Sequence, residues 1–149
     1  MDGSITTTIR AMTLGDSERV ARLSGELGYP STQQQIEARF RRAEDDPDSR
    51  IFVAADSDGR VWGWVHVFGR HLLVSEGAAE VGGLVVDSRV RGKGIGRSLM
   101  AAAEAWARER GYARIKLGSS TVRGEAHQFY QDLGYTIVKS QHRFQKPLN

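Results

Sequence analysis

The sequence of 149 residues contains no cysteine. Disulfides, thiolate metal ligands and cysteine nucleophiles are therefore all excluded. Long apolar runs are also missing, because no window approaches the roughly 20 apolar residues of a membrane-spanning helix. The first residues do not show the basic and then apolar pattern of a signal peptide. We therefore expect no membrane partner and a cytoplasmic location.

Proline is scarce, with three residues, and no repeat or low-complexity tract is present. The composition, 40% hydrophobic and 26% charged, is that of an ordinary globular protein. This length fits one domain, which we expect to span residues 1–149. A net charge of +3 with a pI near 9.5 suits an acidic partner such as a polyphosphate cofactor, or only a mildly basic surface. Nucleic acid is disfavoured, because the basic residues are dispersed along the chain.

The most informative stretch runs through residues 80–100. An apolar strand pattern over residues 81–86 turns at Asp87 and Ser88 into a loop of alternating glycines and cations, and a helical pattern follows. A glycine-rich turn at the start of a helix presents free backbone N–H groups, which bind anions. The sequence therefore predicts a phosphate-binding loop.

The predicted order of elements is strand, two helices, three strands, helix, strand, helix and two closing strands at residues 135–138 and 141–144. Strand 61–68 alternates between valine or glycine on one face and aromatic residues on the other, so it should be covered on both sides. A helix that links two strands of one sheet implies a parallel pair, whereas the hairpin over residues 51–68 is antiparallel. We predict an α/β (α+β) fold with a mixed, mostly antiparallel sheet of about seven strands and helices on both faces.

Two motifs identify the kind of loop. The dinucleotide fingerprint fails because Leu99 stands where its third glycine belongs, and no Gly-Lys-Ser/Thr completes a nucleoside-triphosphate loop. What matches is R-x-x-G-x-G at residues 91–96. One helix and one strand later comes Ala-His-Gln-Phe-Tyr-Gln-Asp-Leu-Gly-Tyr at residues 126–135. In both motifs and in element order the chain resembles the GNAT superfamily of N-acetyltransferases over about residues 5–144.

The resemblance implies that acetyl-coenzyme A is the co-substrate and that no metal is needed. The loop backbone would bind the pyrophosphate, its cations would face the phosphates, and the preceding strand would pair with the pantetheine arm. Gly82 and Gly83 would mark a bulge that splays this strand, although they could instead make room for Trp62 or Trp64. The implied cofactor-binding residues are Leu84, Val85, Val86, Arg91, Gly92, Lys93, Gly94, Ile95, Gly96, Arg97, Ser98 and, with less support, Arg123, where the family often carries asparagine.

The same resemblance implies direct attack of an amine on the thioester, with no covalent acyl-enzyme. Tyr130 would protonate the departing thiolate, and its alternative role is a core tyrosine beside Phe129. Glu80 is the first candidate for the base that deprotonates the amine. His66 on the neighbouring strand and a water molecule are the alternatives.

The acceptor is not readable from the sequence beyond an amine-bearing small molecule or peptide. Glu26 and Glu76 near the expected acceptor site suggest a cationic amine, such as an aminoglycoside, a polyamine or a peptide N-terminus. The alternatives are a non-catalytic acyl-coenzyme A sensor, a protein N-terminal or lysine acetyltransferase, and a nucleic-acid-binding protein. A homodimer is also expected.

Overall fold

The structure is a computed structural model that describes residues 5–119 and 124–149. The chain divides into two compact units, Met1–Leu117 and Gly118–Asn149, and each is described by itself. Within the described ranges, no helix has both the length and the apolar character needed to cross a membrane.

The first unit contains a five-stranded sheet whose strands are in chain order. The first three pairings are antiparallel and the fourth is parallel. The parallel pair is joined by a helix, as predicted. The strands are β1 (Thr8–Ala11), β2 (Ser49–Ala55), β3 (Val61–Arg70), β4 (Ala78–Val86) and β5 (Ile115–Leu117), and the helices are α1 (Ser17–Glu26), α2 (Gln33–Glu44) and α3 (Ile95–Glu109).

Local chemistry explains where the helices begin and end. Thr32 caps α2 by accepting the Gln35 backbone N–H at 3.1 Å, and the Gln35 side chain accepts the Thr32 N–H at 3.0 Å. This capping box supplies partners for amide groups that the helix leaves unpaired. After α1, Gly28 takes a φ of 98°, a left-handed conformation that suits glycine and ends the helix.

β3 lies at the centre of the sheet and is covered on both faces. Val61, Gly63, Val65 and Val67 are fully buried, and a Cβ at Gly63 would meet Leu99 and Ile95 of α3. The opposite, half-buried face carries Trp64, which packs with the core residues of α1 and α2. The prediction of a strand covered on both sides is confirmed.

β4 is irregular at its glycine pair, as predicted. His66 pairs with Gly83 and Val67 with Val81, so Gly82 is an extra residue in the ladder between β3 and β4. A Cβ at Gly83 would lie 2.8 Å from Cη2 of Trp64. Both interpretations therefore apply: Gly82 forms a bulge and Gly83 makes room for the indole.

The second unit corrects one prediction. Its described residues contain α4 (Gly124–Asp132), which is followed by Gly134 at a φ of 98°. The closing strands expected at residues 135–138 and 141–144 are not formed, so the described sheet has five strands and not seven. A strand is stable only when it is paired, and here the apolar side chains of Ile137, Val138 and Phe144 are exposed around a polar stretch.

Candidate functional site

The glycine-rich loop is held by the turn that precedes it. The Asp87 backbone N–H donates to the Trp62 carbonyl at 2.8 Å, which ties the end of β4 to β3. The Asp87 carboxylate is buried and accepts hydrogen bonds from Arg89 at 2.7 Å and Arg19 at 3.1 Å. These bonds, chiefly those from Arg89, hold the pKa of the Asp87 carboxyl far below its ordinary value. Asp87 is therefore a charged anchor at the start of the loop.

The loop itself exposes backbone N–H groups. Gly92 and Gly94 have φ values of 78° and 87°, in the left-handed region that side chains disfavour. The first intrahelical bond of α3 runs from the Ser98 N–H to the Gly94 carbonyl at 3.0 Å. The amides of Ile95, Gly96 and Arg97 therefore lie in the first helical turn, where no carbonyl of the helix can accept from them.

These groups fit the pyrophosphate of coenzyme A. Successive N–H groups at a helix N-terminus favour a bound anion, and the helix dipole adds to the attraction. The side chains of Arg91, Lys93 and Arg97 are exposed around the loop, whereas Ile95 is buried and anchors it. Arg91 also donates from Nε to the Val86 carbonyl at 3.2 Å, so this guanidinium is held beside the end of β4.

The strand before the loop has a free side in the first unit. β4 pairs with β5 only at Ala79, Glu80 and Val81. Beyond the bulge, Leu84, Val85 and Val86 pair with β3 alone among residues 5–117, the described part of this unit. On the side of β5, the edge of β4 at residues 84–86 therefore has no strand partner among the described residues of this unit, and the splay that the resemblance implies stays a prediction.

A cavity of about 340 Å³ opens beside this bulge, between α1, α2 and the half-buried face of the sheet. Its wall includes Gly82 and the side chains of Trp64 and His66. His66 Nε2 lies 2.9 Å from the buried Ser49 Oγ, and burial lowers the pKa of the imidazole. His66 is therefore a neutral, oriented imidazole at the wall of an apolar cleft.

The two acidic residues expected near the acceptor do not line this cavity. Glu26 instead accepts a hydrogen bond from the Ser88 backbone N–H at 3.3 Å. Glu76 lies in the loop between β3 and β4 and is exposed. Glu80, the first candidate for the base, pairs with Phe68 in the ladder, and its two carboxylate oxygens accept from Arg70 at 3.0 and 3.1 Å.

Tyr130 lies on α4 in the second unit. Its ring centroid is 5.1 Å from that of Phe129 and 6.0 Å from that of Tyr135, so the three form an aromatic group on one short segment. Tyr130 is half-buried. Arg123 lies outside the described residues.

Sequence reasoning missed the residues that shape the cavity and the anchor of the loop. Ser49 and Arg39 were not named, and Asp87 was named only as part of the turn before the loop, although all three are functional candidates in the structure. Asp87 carried a local signal, because an aspartate after a strand and before a loop commonly caps the next turn. Ser49 and Arg39 carried none, since only the folded sheet brings β2 and α2 to His66.

Comparison with known proteins identifies the family. Residues 18–135 match the Acetyltransferase (GNAT) family. Aminoglycoside N(6')-acetyltransferase type 1 of Stenotrophomonas maltophilia is 29% identical over 145 residues, which cover 95% of this chain and 94% of the relative. N-acetylaspartate synthetase of Homo sapiens is 29% identical over 119 residues, which cover 80% of this chain and 37% of the relative.

Solved structures show the same fold. Aminoglycoside N-acetyltransferase AAC(6')-Iy in complex with CoA matches with a TM-score of 0.86 at 20% identity and with coverage of 99% of both chains. The match to the family extends from α1 through the glycine-rich loop to the aromatic segment after α4. The chain therefore belongs to the GNAT family of acetyltransferases and is an acetyl-CoA-dependent N-acetyltransferase.

Proposed function

We propose that the chain acts as one acetyltransferase domain, residues 1–149, that acetylates a small-molecule primary amine by direct transfer. The observation that carries this proposal is the cavity beside the bulge of β4, because it adjoins the strand proposed to hold the thioester. Its volume, about 340 Å³, lies in the range of small-molecule pockets. A cytoplasmic location and a homodimer stay predictions.

The donor side of the site rests on backbone groups. We propose that the amides of residues 92–98 bind the pyrophosphate and that Arg91, Lys93 and Arg97 add charge. Residues 84–86 would pair with the pantetheine arm and hold the thioester beside the bulge. Acetyl-coenzyme A supplies the acyl group and a thiolate leaving group.

On the acceptor side we propose His66 as the group that takes the proton of the amine. If Nε2–H donates to Ser49 Oγ, the ring is oriented and Nδ1 keeps its lone pair. A Cβ built on Gly82 would lie 3.5 Å from that Nδ1, so Nδ1 faces the bulge. A base must be unprotonated to act, and the burial of His66 favours that form. Glu80 remains the alternative, with both oxygens engaged by Arg70.

Tyr130 is proposed as the acid that protonates the thiolate. A thiol of pKa about 8.5 leaves readily, so this proton should contribute modestly, by about 10- to 100-fold. Tyr130→Phe keeps the ring and its packing with Phe129 while it removes the hydroxyl.

The test is a thiol-release assay over amines and peptides, with coenzyme A binding measured in parallel. We expect turnover of small amines, a modest loss of kcat in Tyr130→Phe and a larger loss in His66→Gln, with coenzyme A affinity unchanged in both. Binding of coenzyme A without turnover of any amine would favour the acyl-coenzyme A sensor. Turnover of peptides alone would favour the protein acetyltransferase.

A further inference from the structure

The cavity carries a charge pattern that differs from the one the sequence suggested. Among the described residues that line it, none is aspartate or glutamate. Its floor is apolar and includes Leu27, Ile36 and Phe40. A polycationic acceptor would lose water there and gain no carboxylate in return, which is costly for a buried charge.

The charged side chain at this cavity is a cation. Arg39 on α2 lines it and is exposed, and its Nη1 donates to Ser31 Oγ at 3.0 Å. Among the described residues, no acidic group lies within ion-pairing distance of Arg39. Glu44 and Asp46 line a separate, adjoining cleft. The guanidinium is therefore available for an anionic group of a ligand.

The polar groups at the cavity thus have different roles. His66 lies at the wall beside Gly82, where the bulge opens towards the cofactor strand. Arg39 and Ser31 lie on the side formed by α2 and the segment before it. Between these groups the wall offers apolar side chains, which would cover an apolar body.

We propose that the acceptor is an apolar primary amine that carries a carboxylate. Its carboxylate binds Arg39, its apolar body fills the cleft, and its amine faces His66. This inference rests on the proposed function and names the substrate class of the same site. Arg39 is then the residue that determines specificity, because a planar guanidinium binds a carboxylate through two parallel hydrogen bonds.

The reaction balances without a further reactant. The amine nitrogen forms a bond to the acetyl carbon, the bond from that carbon to sulfur breaks, and one proton of the amine leaves. The thiolate takes up a proton, so the products are the N-acetylated acid and free coenzyme A. The carboxylate takes no part in these bond changes and serves binding alone.

The experiment compares acids with their neutral amides. The probes are L-phenylalanine and 8-aminooctanoate, each beside its primary amide, with kanamycin as the polycation. These two acids differ in the distance between amine and carboxylate, so the test does not depend on one spacing. Thiol release gives kcat and KM, and a thermal shift in the presence of coenzyme A gives binding independently of turnover.

In the wild type we expect at least one acid to exceed its amide in kcat/KM by about 10- to 100-fold, which is the effect of one charge-assisted hydrogen bond. Arg39→Gln should remove that preference, because it should lower kcat/KM for the acids by about 10- to 100-fold more than for the amides. Arg42→Gln, which removes a cation from the same helix but not from the cavity wall, should keep it. Both variants should retain the wild-type melting temperature, because these side chains are exposed.

The inference is overturned if kanamycin or the amides are the best substrates, or if Arg39→Gln lowers acid and amide rates equally. Failure of the proposed function looks different: coenzyme A raises the melting temperature, yet no amine of any charge is acetylated. In that case the thermal-shift measurement still tests whether the cavity binds a carboxylate. A thermal shift caused by the acids, absent with the amides and lost in Arg39→Gln, would support the anion site, and its absence would refute it.

Discussion

Replacing Gly63 by alanine tests whether the sheet and α3 depend on close contact at the centre of β3. A Cβ at this position would lie 2.9 Å from the Val85 carbonyl oxygen, 3.1 Å from Leu99 Cδ1 and 3.4 Å from Ile95 Cγ2. The nearest atom belongs to the backbone of a paired strand, so it cannot move aside cheaply. Overpacking of this kind costs about 1–3 kcal/mol of the free energy of unfolding.

For a chain of this size such a loss lowers the melting temperature by about 2–12 °C. Because Ile95 begins α3, the strain should also shift the first helical turn and weaken coenzyme A binding. The measurements are urea denaturation and calorimetric titration with coenzyme A.

Gly25→Ala is the matched control. Gly25 lies in α1, and a Cβ there would meet nothing within 4 Å. Alanine should stabilise the protein by about 0.5–1 kcal/mol, because glycine is a poor helix former, and coenzyme A affinity should not change. If Gly63→Ala is as stable as the wild type and binds coenzyme A equally well, the reasoning about this contact is wrong.

Three further predictions concern pH. Hydrogen bonds, chiefly from Arg89, lower the pKa of Asp87. The ionised carboxylate therefore stabilises the fold above pH about 4, and this contribution is lost as the pH falls further. Asp87→Asn should cost about 1–3 kcal/mol at pH 7 and make acid denaturation less steep. Burial and the Asp48 carboxylate raise the pKa of Tyr112 to about 12. The protonated phenol therefore stabilises the fold below pH about 10, and this contribution is lost as the pH rises from about 10 through 12. An absorbance titration of the wild type should contain a phenolate step near pH 12, and this step should be missing in Tyr112→Phe. Burial lowers the pKa of His66, so the acidic limb of the kcat/KM profile should lie below pH about 6.5. This limb should vanish in His66→Gln, whose activity should be about 10²- to 10⁴-fold lower.

The fold was largely predictable because its signals are local. Alternation along β3 indicated a strand with two covered faces. The start of α2 also has a local signal, because Ser31 and Thr32 each have a glutamine three residues later, and the structure uses the Thr32 register. The closing strands were mispredicted for the converse reason. The strand propensity of the β-branched and aromatic residues within 135–144 is a weak local preference, and a strand needs a partner that the sequence of the segment itself does not specify.

The proposed donor and acceptor sides of the site also differ in how far the sequence predicts them. The donor loop is backbone from one continuous stretch, so glycine spacing and the helix that follows predict it directly. The proposed acceptor cavity is lined by residues from α1, α2, β2, β3 and β4, which are distant in sequence. The charge of this cavity therefore cannot be predicted from the sequence. In the structure Arg39 lines the cavity, whereas Glu26 and Glu76, which were expected there from their positions in the chain, do not.

The separation of the glycine-rich loop from the cavity also suggests how one family fold can serve different acceptors. A substitution at Arg39 changes the charge at the cavity, yet α2 does not contribute to the loop proposed to bind the pyrophosphate. In the proposed function the chemical step depends on His66 and on the bulge at Gly82, both of which belong to the paired core of the sheet. Specificity can therefore change on an exposed helix while the donor site and the bulge stay fixed, so the charge of α2 at the cavity should determine which amines are accepted.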